Sequence, residues 1–238
     1  MKYIEYKSSG TKLPFEALEF RTDLRHVLKL NGTETEIFNS FSENIKRNIK
    51  KESNQKFHLK IQNDYSGIEL FYKMHCKTRK RHGLPPQPFT FFKNIYKNII
   101  SKGNGDVLFA MNGTSYTASA IYFKFGKKLL YKFGASINDN SELRGNFFVM
   151  WQAIKKYLSE GYEEFDFGRT EINHEGLRRY KLGWNTSEFF IYTSRYSVKE
   201  NKFLITTTKT NGIHNSIFNH SPVFLLKLVG NSLYKHIG

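Results

Sequence analysis

Residues Gly161–Trp184 read GYEEFDFGRTEINHEGLRRYKLGW. Phe165-Asp166-Phe167 alternates as a short strand that ends at Gly168, followed by Arg169, Thr170, a polar loop, Gly176 and a basic helical turn closing at Lys181. Strand alternation sends Asp166 to the sheet face opposite the two phenylalanines. An acid at a strand end, beside a glycine and facing cations, is a place for chemistry. Taken alone it reads more readily as an acid that caps the loop after its strand or pairs with Arg169. The Asp-Phe-Gly triplet also occurs in protein kinases, but the chain has neither a glycine-rich loop nor a His-Arg-Asp loop, so that reading fails. Arg178 reads as part of a solvated basic face. Lys181 precedes Leu182-Gly183-Trp184, where the chain re-enters the sheet, and is the stronger functional candidate.

Upstream of this stretch, residues 1–24 show no sustained period and read as an irregular or edge segment. Arg25–Leu30 is a short strand, and Glu36–Lys51 carries Ile37, Phe38, Phe41, Ile45 and Ile49 at helical spacing. Phe57–Ile61 alternates as a strand. Ile68, Phe71 and Met74 mark a helix that runs into the basic segment Lys77–His82 and is broken by Gly83-Leu84-Pro85-Pro86. Phe89–Ile100 is again amphipathic. A β-rich centre comes next: Asp106–Met111, the Asn112-Gly113 hairpin signal, Thr114–Phe125 and Lys128–Ala135. After the polar loop Asn138–Gly145, a helix over Asn146–Ser159 leads to the strand Glu163–Phe167. Glu175–Lys181 is a short helix and Glu188–Tyr196 a last strand. Lys199–Asn219 reads as a polar loop. A final helix, Ser221–His236, has Ser221 placed to cap it and Pro222 suited to its first turn. The order predicts an α+β fold with a mixed central β-sheet flanked by helices. Its expected parts are an N-terminal remnant or edge segment at 1–26, a main domain at 27–197, a loop at 198–220 and a packing helix at 221–238.

The 238 residues contain 37 Lys+Arg against 21 Asp+Glu, a formal charge of +16 that suggests an anionic partner (nucleic acid, a phosphorylated substrate or an acidic membrane surface), the plainer alternative being a soluble protein from a lysine-rich proteome. With 22 Phe and 14 Tyr the chain has ample material for a packed core. A single cysteine, Cys76, excludes an internal disulfide and a cysteine-based zinc cluster. His75, His174 and His214 lack metal-ligand spacing, so no metal site is expected. The first residues, MKYIEYKSSG, carry no signal-peptide core, and a cytoplasmic location is expected, with peripheral contact at the inner face of the membrane left open.

Three further features bear on function. The helix start at Arg144-Gly145-Asn146 offers free amides and a positive dipole end to a phosphate. Thr78-Arg79-Lys80-Arg81 at a helix end either complements the helix dipole or contacts phosphate. The final helix, with Val223, Phe224, Leu225, Leu226, Leu228, Val229 and Leu233, is able to touch a membrane surface, although packing on the domain is the commoner fate.

Taken together, these pieces resemble the FemAB-like branch of the GNAT acyltransferases, which includes the peptidoglycan interpeptide-bridge enzymes. The similarity runs from about Val27 to the C-terminus. It rests on Ser42–Lys51, Phe71-Tyr72, Thr78–Pro85, Phe91-Phe92, Tyr131–Ala135 (YKFGA), Trp151–Ile154, Gly161-Tyr162, Phe165–Arg169, Gly176-Leu177, Tyr180-Lys181 and the closing helix from Pro222. Each piece is loose; their order is specific.

The resemblance implies a GNAT fold whose sheet splays open for an acyl donor. It also implies transfer of an acyl or aminoacyl group, from a CoA thioester or a charged tRNA, to an amine of a cell-envelope precursor. No tightly bound cofactor is implied. Lys181 would steady the negative charge on the tetrahedral intermediate, as a fixed cation can. Asp166 would accept the amine proton or orient Arg169. Arg169, Arg144, Gly145, Asn146, Arg81 and Thr78 would contact donor or acceptor, a small or lipid-linked phosphorylated molecule. The Arg/Gln-x-x-Gly-x-Gly/Ala signature for CoA is absent, with only Arg144-Gly145 in its place. The family commonly has two tandem domains, whereas this chain has room for about one. A basic, non-catalytic module that binds RNA or an anionic membrane, or a subunit that needs a partner, is the alternative.

Overall fold

The computed structural model describes residues 3–11, 20–53, 57–137, 145–204, 218 and 221–234. Among them, nine strands form one sheet: β1 (Tyr3–Ser9), β2 (Arg21–Lys29), β3 (Phe57–Ile61), β4 (Gly105–Asn112), β5 (Ser115–Phe125), β6 (Lys128–Ser136), β7 (Glu164–Glu171), β8 (Ser187–Ser197) and β9 (Lys202–Leu204). The order is β1-β8-β2-β7-β6-β5-β4-β3, with β9 on β8. Seven α-helices of the described residues flank it: α1 (Glu34–Ser40), α2 (Glu43–Ser53), α3 (Tyr65–Arg81), α4 (Phe89–Asn98), α5 (Gly145–Ser159), α6 (Glu175–Leu182) and α7 (Val223–Leu233). The sheet is mixed, as expected.

β4 explains why two cores form. Its run Val107-Leu108-Phe109-Ala110 is buried on both faces, the mark of a strand covered on each side. Leu108 and Ala110 join α1, α2 and α5 through Ile37, Phe41, Ile45, Trp151 and Ile154. Val107 and Phe109 join α3 and α4 through Ile68, Phe71, Met74, Phe92 and Ile95.

Every strand pair is antiparallel except β6–β7, the two strands joined by the α5 crossover. That pair is short. It runs only from Lys128↔Glu164 to Leu130↔Asp166. Beyond it β6 stays with β5 as far as Ser136, while β7 stays with β2 as far as Glu171. The sheet therefore opens between Tyr131–Ser136 and the second half of β7. A register shift between Ile121 and Tyr122 leaves Tyr131 packed towards the α5 side and Phe133 towards α3 and α4. The bulge re-aims the side chains at the opening.

Several elements differ from expectation. Tyr3–Ser9 takes the expected edge position, but as a regular strand paired with β8. β2 begins at Arg21 and crosses residue 27, so 21–26 belong to the same strand and sheet as residues 27–29. The Glu36–Lys51 stripe is two helices, because Phe41 is extended at ψ 153°. Thr33 and Glu36 form a capping box at the first, a signal legible in Thr33-x-x-Glu36. β7 does not stop at Phe167. Gly168 takes φ +74° at a register shift opposite Arg25 and Val27, and the strand bulges through the glycine and goes on. β9 lies inside the expected loop; most of the rest of that loop is outside the described residues. Pro222, rather than Ser221, holds the cap position of α7 and makes no side-chain cap bond.

Candidate active site

At the opening, a cleft of about 320 Å³ is lined by the end of α3 (Thr78, Arg81, His82), the open half of β6 (Tyr131, Gly134, Ala135, Ser136), the start of α5 (Asn146, Phe147) and Tyr180 of α6. Four segments far apart in sequence meet here because β6 has lost β7.

At Ser136 the free edge of β6 is met by α3. Thr78 Oγ1 accepts the Ser136 N–H at 2.9 Å and lies 3.0 Å from the Ser136 carbonyl. Arg81 Nη2 donates to Ser136 Oγ at 2.7 Å. One threonine thus serves both backbone groups that a neighbouring strand would serve. Tyr131 carries its hydroxyl over Gly134, where a Cβ would stand 1.9 Å from it, so only glycine fits beneath the ring. Burial pushes the Tyr131 phenol up to about 12, which keeps it a neutral hydrogen-bond donor.

On the β7 side the corresponding role falls to Lys181. This lysine is only 4 % exposed. Its Nζ donates to the carbonyls of Gly168 at 2.9 Å and Arg169 at 3.1 Å, both beyond the last β6–β7 pair. Burial depresses the ammonium to about 8, Asp166 opposes that shift and Arg169 adds to it. Among the described residues no carboxylate lies within ion-pair distance of Lys181. The short helix α6 holds it there: His174 caps the helix by accepting the Leu177 N–H, and Thr186 Oγ1 ties back to the Lys181 carbonyl at 3.1 Å.

Asp166 is placed elsewhere. It binds Arg25 Nε at 2.5 Å and accepts the Gly168 N–H at 2.7 Å, and it lines a separate depression with Arg25, Lys124 and Leu130. The expected pairing with Arg169 does not form. Arg169 instead reaches Asp23 at 3.1 Å, because the β2–β7 bulge offsets the two strands there. Asp166 accepts within the β7 bulge rather than capping a loop, and its second partner comes from β2, which no local pattern announces. Arg178, expected on a solvated face, is exposed yet forms two bonds of 2.7 Å to Glu188.

Of the proposed donor contacts, Asn146, Arg81 and Thr78 are at the cleft. Gly145 is buried against β5, with Thr117 Oγ1 2.6 Å from the place a side chain would begin, so close helix–strand packing accounts for this glycine. Arg144 lies outside the described residues. His82 is a cleft residue held below the usual imidazole range by burial and by Arg81 and Arg79. Sequence reasoning missed Ser136 and Phe147, which only the opening brings together. Among the described residues no group of three or more His, Cys, Asp or Glu is placed to hold a metal.

Residues 39–184, more than half of the chain, match the family model described as an acetyltransferase (GNAT) domain. The chain belongs to that family. Within solved structures, the GNAT chain is similar to FemX, at 16% identity and a TM-score of 0.63, with 77% of this chain and 64% of that one covered. It is also similar to L-PGS from Bacillus licheniformis, at 8% identity and a TM-score of 0.53, covering 97% and 68%. A third likeness is the C-terminal domain of a protein described as a putative lysylphosphatidylglycerol synthetase from Agrobacterium fabrum, at 14% identity and a TM-score of 0.50, covering 73% and 62%. Identities this low establish the shared fold alone. No curated protein matches the chain. The GNAT chain thus spans less than two thirds of the FemX structure it resembles.

Proposed function

We propose that this GNAT domain is an N-acyltransferase that moves an acyl or aminoacyl group from a CoA thioester or a charged tRNA to an amine of a cell-envelope precursor, at the cytoplasmic face. The observation that carries the reading is the unpaired half of the β6–β7 seam, where a cleft large enough for a thioester arm lies between Thr78, Tyr131 and Tyr180 and a buried lysine sits behind the adjoining β7 backbone.

In this reaction the acceptor nitrogen attacks the donor carbonyl. A C–N bond forms, the C–S or C–O bond to the donor breaks, and the amine proton leaves as the thiol or ribose hydroxyl is released. Charge builds on the carbonyl oxygen, and preorganised dipoles or cations near it lower the barrier. Lys181 supplies a cation that is dehydrated and fixed by two carbonyls, so little reorganisation is needed. Tyr131 and Tyr180 line the cleft wall, and Tyr131 is kept protonated by its surroundings. Arg81 and Asn146, which line the cleft, would meet a phosphate or a peptide carbonyl of the substrate. Asp166, engaged by Arg25 and Gly168, keeps the β7 bulge in shape rather than serving as the base. FemX and L-PGS are proteins of the same fold, and the envelope acceptor is inferred from that company and from the +16 charge.

Turnover assays on the purified protein with acyl-CoAs and charged tRNAs, comparing Lys181→Met with Asp166→Asn, test this. Loss in the first and retention in the second are expected. Normal turnover by Lys181→Met would remove the lysine from the mechanism.

A further inference from the structure

α7 packs on the domain and yet shows an apolar outer face. Leu226 and Gly230 are its buried residues. Gly230 lies so close to the Pro86 carbonyl that a Cβ there would be 2.1 Å from it, which fixes the helix's rotation. That rotation turns Phe224 (63 % exposed) and Leu228 (61 % exposed) to solvent, with Leu225 beside them. Large apolar side chains grouped on one exposed helix face mark a surface that has a partner.

Beside this face runs a groove of about 1160 Å³ between α3, α4, β6 and α7. Lys73, Lys93, Lys132 and Lys227 line it, against one acid, Glu69. Three of these lysines lie over aromatic rings: Lys93 over Phe89 at 5.4 Å, Lys132 over Phe133 at 5.8 Å and Lys227 over Tyr72 at 5.3 Å. The rings carry the lysine stems along apolar surface with the ammonium at its border. Across the groove Phe91 is also exposed.

We infer that this face, α7 with the lysines beside it, docks on the surface of an anionic phospholipid bilayer. The apolar residues enter the interfacial region and the lysines meet the lipid phosphates, the two contributions that together bind a peripheral helix. At eleven residues α7 is about 16 Å long, too short to cross a bilayer core of about 30 Å, and no helix among the described residues is long and apolar enough to do so. The helix lies on the membrane rather than through it. Charge complementarity favours a lipid surface over a second protein, and the apolar row favours it over RNA, which has no hydrocarbon layer to receive Phe224 and Leu228. Docking also has a geometric consequence. α3 and β6 form walls of both the groove and the cleft, so a docked molecule holds its cleft near the bilayer surface. Docking of this kind requires no transfer reaction.

Co-sedimentation of the purified full chain with vesicles tests it without any turnover. Binding is expected to vesicles of phosphatidylcholine mixed with phosphatidylglycerol, and to be much weaker with phosphatidylcholine alone. The double variant Phe224→Ser/Leu228→Ser, whose targets are exposed and whose melting temperature should stay put, is expected to bind at least about tenfold more weakly. Changing Lys73, Lys93, Lys132 and Lys227 to Gln is expected to cost roughly fivefold per lysine at low salt. Equal binding to neutral and anionic vesicles would overturn the inference, as would no binding at all. So would undiminished binding by the folded Phe224/Leu228 variant, or RNA binding that outcompetes vesicles and ignores those two residues.

Discussion

The two halves of the β6–β7 seam use charge in opposite ways. In the closed half, where Lys128–Leu130 pairs with Glu164–Asp166, carboxylates and cations satisfy one another: Glu164 takes Lys29 and Lys128, and Asp166 takes Arg25. In the open half Lys181 faces neutral oxygens. Lys181 donates to two carbonyls and Arg81 to the Ser136 hydroxyl. A cation already matched by a carboxylate has little field left for a substrate, whereas one held by dipoles keeps its charge available to a developing oxyanion. The proposed reaction uses the open half for chemistry and the closed half for architecture.

The largest effect should come from Lys181→Met, which removes the charge and keeps the bulk. Transfer is expected to fall by about two to three orders of magnitude, the usual loss for one stabiliser of an oxyanion, as read from kcat/KM. A smaller but more particular effect concerns pH. Because burial brings Lys181 down to about 8, its charge is present at neutral pH and is lost as pH rises through that value. Activity that requires the cation should be level below about pH 8 and fall about tenfold per unit above it; a rate that rises through pH 8 would make Lys181 a base instead. The same depression means that the unfolded chain holds this proton more tightly, so the stability penalty of the buried ammonium is full below pH 8 and is relieved towards the free-lysine value.

Closed-half substitutions should act on stability instead. Asp166→Asn removes the charge facing Arg25 and is expected to cost about 1–3 kcal/mol in denaturant unfolding while changing turnover by only a few-fold. Loss of transfer as complete as that of Lys181→Met, in a protein that unfolds normally, would break the contrast between the halves. Smallest of all, Thr78→Val deletes the hydroxyl that serves Ser136. About 1 kcal/mol of stability should go with it, along with weaker donor binding as the end of β6 loosens.

Much of this was legible in the sequence, for reasons that differ by element. Continuous or periodic apolar runs such as Val107–Ala110 and the α5 stripe declare their elements directly, and the order YKFGA, Trp151, Phe165–Arg169, Lys181 carried the family. Lys181 was readable because it stands at a helix end beside Gly183 and Trp184. Partners across strands were not readable. That Asp166 meets Arg25 while Arg169 meets Asp23 depends on a bulge one residue wide, and a slip of one residue reverses which side chains face each other. β1, with no alternation to mark it, is held by its pairing with β8, a contact almost the whole chain away. The Ser136–Thr78 junction exists only because β7 diverges, so no local pattern announces it.

Hydrogen–deuterium exchange on the purified protein, with acyl-CoA and charged tRNA added in separate runs, bears most directly on the open seam as the donor site. The account predicts that one donor slows exchange along Tyr131–Ser136 and at the start of α5, with the closed half of the seam unchanged. Protection confined to other surfaces, or no binding by either donor, would contradict it.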